Sequence, residues 1–218
     1  MKKITPETQT KPNVRARLLD AADRLFYNEG IHAVGIDRVL DEARAAKASL
    51  YSHFGCKDDL IAAYLQRRIE LARDSIGQYV EQFPSPQRIL RVFECAIIWS
   101  EQAQFRGCPI QLLNSEFACE QHPARQLASG QRAWMLQQFE QWCEYASVDN
   151  PHQTASALLM LFDGALMAAA LEGSVRLREA MCCAAQLLKA NSASETSTSW
   201  LDQAKSQSQV KGKQHEQS

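Results

Sequence analysis

Between residues 44 and 57 the chain carries Arg44, Lys47 and Lys57 and no acidic residue, interleaved with Ser49, Tyr51, Ser52 and His53. Hydroxyls, a phenol and an imidazole are short donors that reach phosphate oxygens, and the bases add the charge that a polyanion requires. The chemistry this implies is binding, not bond making. Taken singly, each residue has an ordinary reading: an aromatic in a core, a histidine on a wet surface, a base on a solvated helix face. Their clustering at this spacing points to nucleic acid. No Gly-x-Ser-x-Gly elbow, phosphate-cradling glycine loop or His/Cys cluster at metal-ligand spacing occurs. The sequence therefore predicts no catalytic residue, no metal, no cofactor and no enzyme.

These side chains need short helices to hold them. Val14, Leu18, Ala21, Ala22, Leu25 and Phe26 recur at helical spacing and are closed by Gly30, which predicts a first amphipathic helix. A second runs from Gly35 to Ala43, and a third from about Lys47 to Phe54, ended by Gly55. The tight turn Ala43-Arg44-Ala45 between them gives a helix-turn-helix, with the third helix placed to enter a major groove. Beyond it, Asp58 and Asp59 favour the start of a helix running to about Phe83. Further helices are expected over about 87–105, in a shorter segment reaching His122, and over about 124–146, 152–171 and 175–190. Proline or glycine breaks separate them. The fold expected is all-α, with about nine helices. The limits are 12–64 for a DNA-binding domain (motif about 35–54), 65–190 for a second helical domain, and 191–218 for a disordered tail rich in serine and glutamine.

The 218 residues carry 24 bases and 25 acids, which excludes a uniformly basic protein of histone type and an acidic solvating chain. The average conceals a pattern: residues 1–19 sum to +4, residues 20–43 to −4 and residues 44–57 to +3. No apolar run follows Lys2 and Lys3, so no secretory signal is expected. Asp163 and Gly164 interrupt the apolar stretch 155–171, which reads as a buried helix and not as a membrane span. The expected location is the cytoplasm. The seven cysteines include no Cys-x-x-Cys pair, and most are expected to be small core residues in a reducing compartment.

Residues 14 to about 64 resemble the DNA-binding domain of TetR-type transcriptional regulators. The resemblance lies in Arg17-Leu-Leu-Asp-Ala-Ala-Asp-Arg-Leu-Phe26, then Gly30, then Ala46-Lys-Ala-Ser-Leu-Tyr-Ser-His-Phe54, then Lys57-Asp58-Asp59-Leu60. It implies DNA contacts from Arg15, Arg38, Lys47, Ser49, Tyr51, Ser52, His53 and Lys57, with Leu50 and Phe54 facing inward. It also marks three departures. Arg44 stands where the turn usually has glycine, which implies a left-handed residue, and Ala46 and Cys56 stand where serine caps are usual.

For residues 65–190 the resemblance implies a ligand-binding and dimerisation domain. Trp99, Phe105, Cys108, Phe117, Trp134, Phe139 and Phe162 are the expected lining of a pocket for an unknown small effector. Cys108 precedes Pro109 at a helix start beside Arg106, where a thiol has a lowered pKa, so oxidation or alkylation there is an alternative signal. Ala165, Ala168, Ala169, Ala170, Ala180, Ala184 and Ala185 predict close packing of the last two helices in a homodimer. The expected function is a repressor on a palindromic operator, released by the effector. The alternative is a DNA-bound architectural protein with a filled core.

Overall fold

The structure, a computed structural model, describes residues 13–117 and 121–192. Among the described residues nine helices follow in order: α1 Val14–Glu29, α2 Ile36–Ala43, α3 Lys47–Phe54, α4 Lys57–Val80, α5 Arg88–Ser100, α6 Pro109–Glu116, α7 Pro123–Tyr145, α8 Pro151–Glu172 and α9 Val175–Ala190. One 3₁₀ turn, Ser85–Gln87, precedes α5. Among the described residues there is no strand, only an isolated antiparallel bridge between Val148 and Ser192. The all-α expectation holds. Lys2, Lys3, Lys11, Cys119 and the tail from residue 193 lie outside the described residues.

The chain divides into two compact units between Tyr64 and Leu65, with α4 contributing to both. In the first unit the predicted α1 stripe is buried through Leu18, Ala21, Ala22, Leu25 and Phe26. Asn13 caps α1, its Oδ1 accepting the Ala16 N–H at 2.8 Å. Phe26 meets Tyr64 edge to face, with ring centres 5.6 Å apart, so α1 and the start of α4 share one core.

In the second unit α5 is buried on all sides from Ile89 to Ile97 and is the central helix. The sequence pattern did not foresee that this run includes Arg91 and Glu94. The fully buried Arg91 donates to Glu94 at 2.5 Å, and its guanidinium lies 4.3 Å from the Phe83 ring centre. The Tyr79 hydroxyl donates to the same carboxylate at 3.1 Å, which ties α4 to α5. Burial and the Glu94 charge push the Tyr79 phenol above its ordinary range.

Several expectations are corrected. Helix α5 ends at Ser100, not at Phe105, because residues 101–104 are exposed and Gln104 turns to φ 72°. Helix α4 ends at Val80, and α6 ends at Glu116 because Phe117 is extended. Asn191 and Ser192 are ordered, not part of a tail: the Asp149 N–H bonds the Asn191 carbonyl at 2.9 Å. Helix α8 runs straight through Asp163 and Gly164 and is only half-buried, with 44% of its most apolar stretch covered. By length and composition alone it could cross a membrane; its inner face packs on α7 and α9.

The cysteines are not mostly core. Of the six described, only Cys95 and Cys143 are buried, while Cys56, Cys182 and Cys183 are exposed. Five of the seven alanines assigned to a dimer surface (Ala165, Ala169, Ala180, Ala184 and Ala185) are buried, where small side chains let helices approach within one chain. The exposed face of α8 instead presents Met160, Met167 and Leu171.

Candidate nucleic-acid interface

Helix α2 ends because Arg44 adopts the left-handed conformation, φ 49° and ψ 51°, as the glycine-to-arginine departure implied. Its N–H and that of Ala45 return to Asp41 and Leu40, which reverses the chain within three residues. From α1, Arg17 donates to the Ala43 carbonyl at 3.2 Å and to the Arg44 carbonyl at 3.4 Å. A cation therefore sits at the negative end of α2 and clamps the turn. Helix α3 begins with Ala46 at its N-cap and no side-chain cap, as expected.

Helix α3 is held on one face only. Leu50 is 0% and Phe54 6% exposed, and these i, i+4 residues seat the helix on the core. Lys47, Tyr51, Ser52 and His53 are exposed on the remaining surface, with Tyr51 at 46%, and Ser49 is half-buried. An exposed tyrosine in a two-turn helix leaves a phenol and a flat ring available to a partner. Gly55 stops the helix at φ 73°, a backbone conformation in which a side chain would be strained.

The lost cap at Cys56 needs correction. Its Sγ accepts the Asp59 N–H at 3.4 Å and its thiol donates to the Asp59 carboxylate at 3.1 Å. Sulfur thus supplies a weaker N-cap at the start of α4.

The structure brings five of the eight implied contact residues together on α3: Lys47, Ser49, Tyr51, Ser52 and His53. Arg15 joins them, its guanidinium 5.0 Å from the Phe54 ring centre at the end of that helix. The other two have work inside the unit. Arg38 lies between Glu29 at 3.4 Å and Glu42 at 3.5 Å. Lys57 donates to the Ile31 carbonyl at 2.8 Å and braces the α1–α2 loop. Lys47 pairs loosely with Asp37 at 3.8 Å in an exposed contact that solvent screens, and Ser52 Oγ donates to the Ser49 carbonyl at 3.0 Å. Arg17 is the structural residue that sequence reasoning missed, since nothing in its local spacing identifies the carbonyls 26 and 27 positions away.

In the second unit the seven expected pocket residues do not form one wall. Phe139 and Phe162 are buried against Phe93 and Trp142, with ring centres 5.4 to 6.3 Å apart, and they fill the core. Trp99 donates to Ser75 Oγ at 3.2 Å, Trp134 lies under the Arg73 guanidinium, and Phe117 stacks on His122 at 4.0 Å. Phe105 and Cys108 pack against the outside of that core.

Cys108 is the N-cap of α6, in a loop pressed on α8: Gly107 has φ 104°, and a Cβ there would lie 3.4 Å from the Ala170 Cβ. Hydrogen bonds from the Gln111 and Ile110 amides favour the thiolate, but burial outweighs them and pushes the thiol pKa up. The shift runs opposite to the expected lowering.

Residues 18–64 match the family model for bacterial regulatory proteins of the tetR family. The HTH-type transcriptional regulator LmrA of Bacillus subtilis is 27% identical over 183 residues, covering 80% of this chain and 96% of LmrA. The HTH-type transcriptional activator FasR of Mycolicibacterium smegmatis is 43% identical over 77 residues, 35% of each chain. A solved TetR-family transcriptional regulator from Streptomyces coelicolor superposes with a TM-score of 0.78 at 31% identity, covering 82% of this chain and 96% of that one. The similarity runs through the helix-turn-helix and on through the second helical unit, and the chain belongs to the TetR family of bacterial transcriptional regulators.

Proposed function

We propose that this regulator is a repressor that binds a palindromic operator through α3 and is released by a small effector bound in the second unit. The observation that carries the DNA contact is the two-faced α3, anchored by Leu50 and Phe54 and presenting Lys47, Tyr51, Ser52 and His53 outward. Direct roles fall to these residues with Ser49 and Arg15. Lys57 and Arg38 contribute through the groups they brace.

One eight-residue helix buries too little to be specific, so the reading includes a homodimer that places two heads on two half-sites. The α8/α9 face supports it. Met160, Met167 and Leu171 are exposed, and a shallow apolar depression of about 640 Å3 lies between Ala157, Met160, Leu161, Cys183 and Leu187. The expected site of action is the cytoplasm. An effector that binds the non-DNA state more tightly shifts the population off the operator.

Genomic footprinting identifies the operator, and fluorescence anisotropy on that duplex then tests the contacts. Binding should weaken steeply with salt. Lys47→Ala should weaken it and reduce the salt slope, and Tyr51→Ala should weaken it with little change in slope. Wild-type binding by both variants would rule out α3 as the reading helix. Reporter expression with and without the protein settles the sign, since FasR is named as an activator.

The filled aromatic core around Phe139 favours a second reading, a DNA-bound architectural protein without an effector. Footprints unchanged by any metabolite extract would support it.

A further inference from the structure

The surface between α4 and α7 carries a cavity of about 510 Å3, within the range of small-molecule sites. Its apolar walls are Ile69 from α4 and Pro123 and Leu127 from α7. Among the described residues its one charged lining residue is Arg73, and no carboxylate lines it. Arg73 is held from two sides. Its Nε donates to the buried Gln131 at 2.7 Å, and its guanidinium lies 4.9 Å from the Trp134 ring centre. These contacts leave both terminal amino groups without a partner among the described residues. A guanidinium fixed at Nε and stacked on an indole has little rotamer freedom left to lose, which is the condition for two-point recognition of a carboxylate.

Gly130 lies on the wall of the same cavity. It lies in the interior of α7, where glycine weakens a helix, and a Cβ added there would meet nothing within 4 Å. No packing contact within the chain calls for glycine at this position. What its missing side chain provides is depth in the cavity wall.

We propose that this cavity binds a small monocarboxylate with an apolar body, the carboxylate paired with Arg73 and the body lying over Ile69 and Leu127. The proposal rests on reading the second unit as the effector-binding part and names the class of effector. Helix α4 runs on from the DNA-binding unit, so a ligand that grips Arg73 acts on a helix both units share.

The test uses the full chain and titrates phenylacetate, 3-phenylpropionate and octanoate, with phenylacetamide as the neutral control. Binding is followed by calorimetry and by tryptophan fluorescence, since Trp134 lies under Arg73. At least one acid should saturate one site per chain and bind at least tenfold more tightly than the amide. Arg73→Met should weaken it at least tenfold. Gly130→Leu, whose Cβ meets nothing within 4 Å and whose side chain would occupy the cavity, should remove binding while circular dichroism and the melting temperature show an intact fold. Failure of all three acids to bind overturns the proposal, as does equal binding of the amide or wild-type affinity in both variants. Anisotropy on the operator duplex separates the two readings. Saturable, Arg73-dependent binding that leaves DNA affinity unchanged sustains the site and refutes the effector function.

Discussion

Arg44 and Cys108 show how neighbours decide what a residue does. Arg44 sits at φ 49°, a conformation that costs an L-residue roughly 1 kcal/mol, and only its backbone is used by the turn, through its N–H and its carbonyl. Arg44→Gly should therefore stabilise the first unit by about 0.5–1 kcal/mol in urea unfolding, part of the relief being offset by glycine's unfolded-state entropy. Cys108 occupies a helix N-terminus, where a thiolate is favoured, yet burial prevails and its pKa rises. At neutral pH it should react with iodoacetamide more slowly than the exposed Cys182 and Cys183, as mass spectrometry of partly labelled protein would show. Cys108 labelling first would restore the switch.

Helix α3 is too short to be stable alone, so its outward face exists only because its inward face is buried. Leu50 has no exposed surface, and Leu50→Ala should cost about 2–5 kcal/mol and loosen the helix from the core. Operator binding should then fall more than Lys47→Ala lowers it, while the oligomeric state stays that of the wild type because α8 and α9 are untouched. Most of this element was legible in sequence: the i, i+4 apolar pair, the glycine stop and the polar remainder. The clamp from Arg17 to the end of α2 was not, because its partners lie 26 and 27 residues away and are backbone carbonyls. The same limit hid the Arg73–Gln131 contact, which joins two helices 58 residues apart.

At the scale of the whole molecule, the feature left to satisfy is the apolar outer face of α8 and α9. Met160 is 60%, Met167 43% and Leu171 88% exposed, side by side with the apolar depression between α8 and α9. Met160→Glu with Met167→Glu should convert the proposed dimer to a monomer in analytical ultracentrifugation, with helix content unchanged. Operator affinity should fall by orders of magnitude, since each half-site is then bound alone. A double variant that still sediments as a dimer would move the interface elsewhere.

Local physics settled much of this protein in advance. Helical periodicity, glycine and proline stops and a base-rich segment without acids identify the all-α class, the helix-turn-helix and the exposed polar face of α3, because these depend on residues within a turn or two of each other. The second unit was misread wherever the outcome depended on packing. Five of the seven alanines named for a dimer surface lie inside, two of the aromatics named for a pocket, Phe139 and Phe162, fill the core, and a buried Arg91–Glu94 pair lies on α5, where the spacing predicted only a helix. Helical spacing shows that a residue shares a face with others; it does not show what covers that face. The α4/α7 cavity is likewise an agreement between two helices far apart in the chain, so only the tertiary structure brings Arg73, Leu127 and Gly130 to one place.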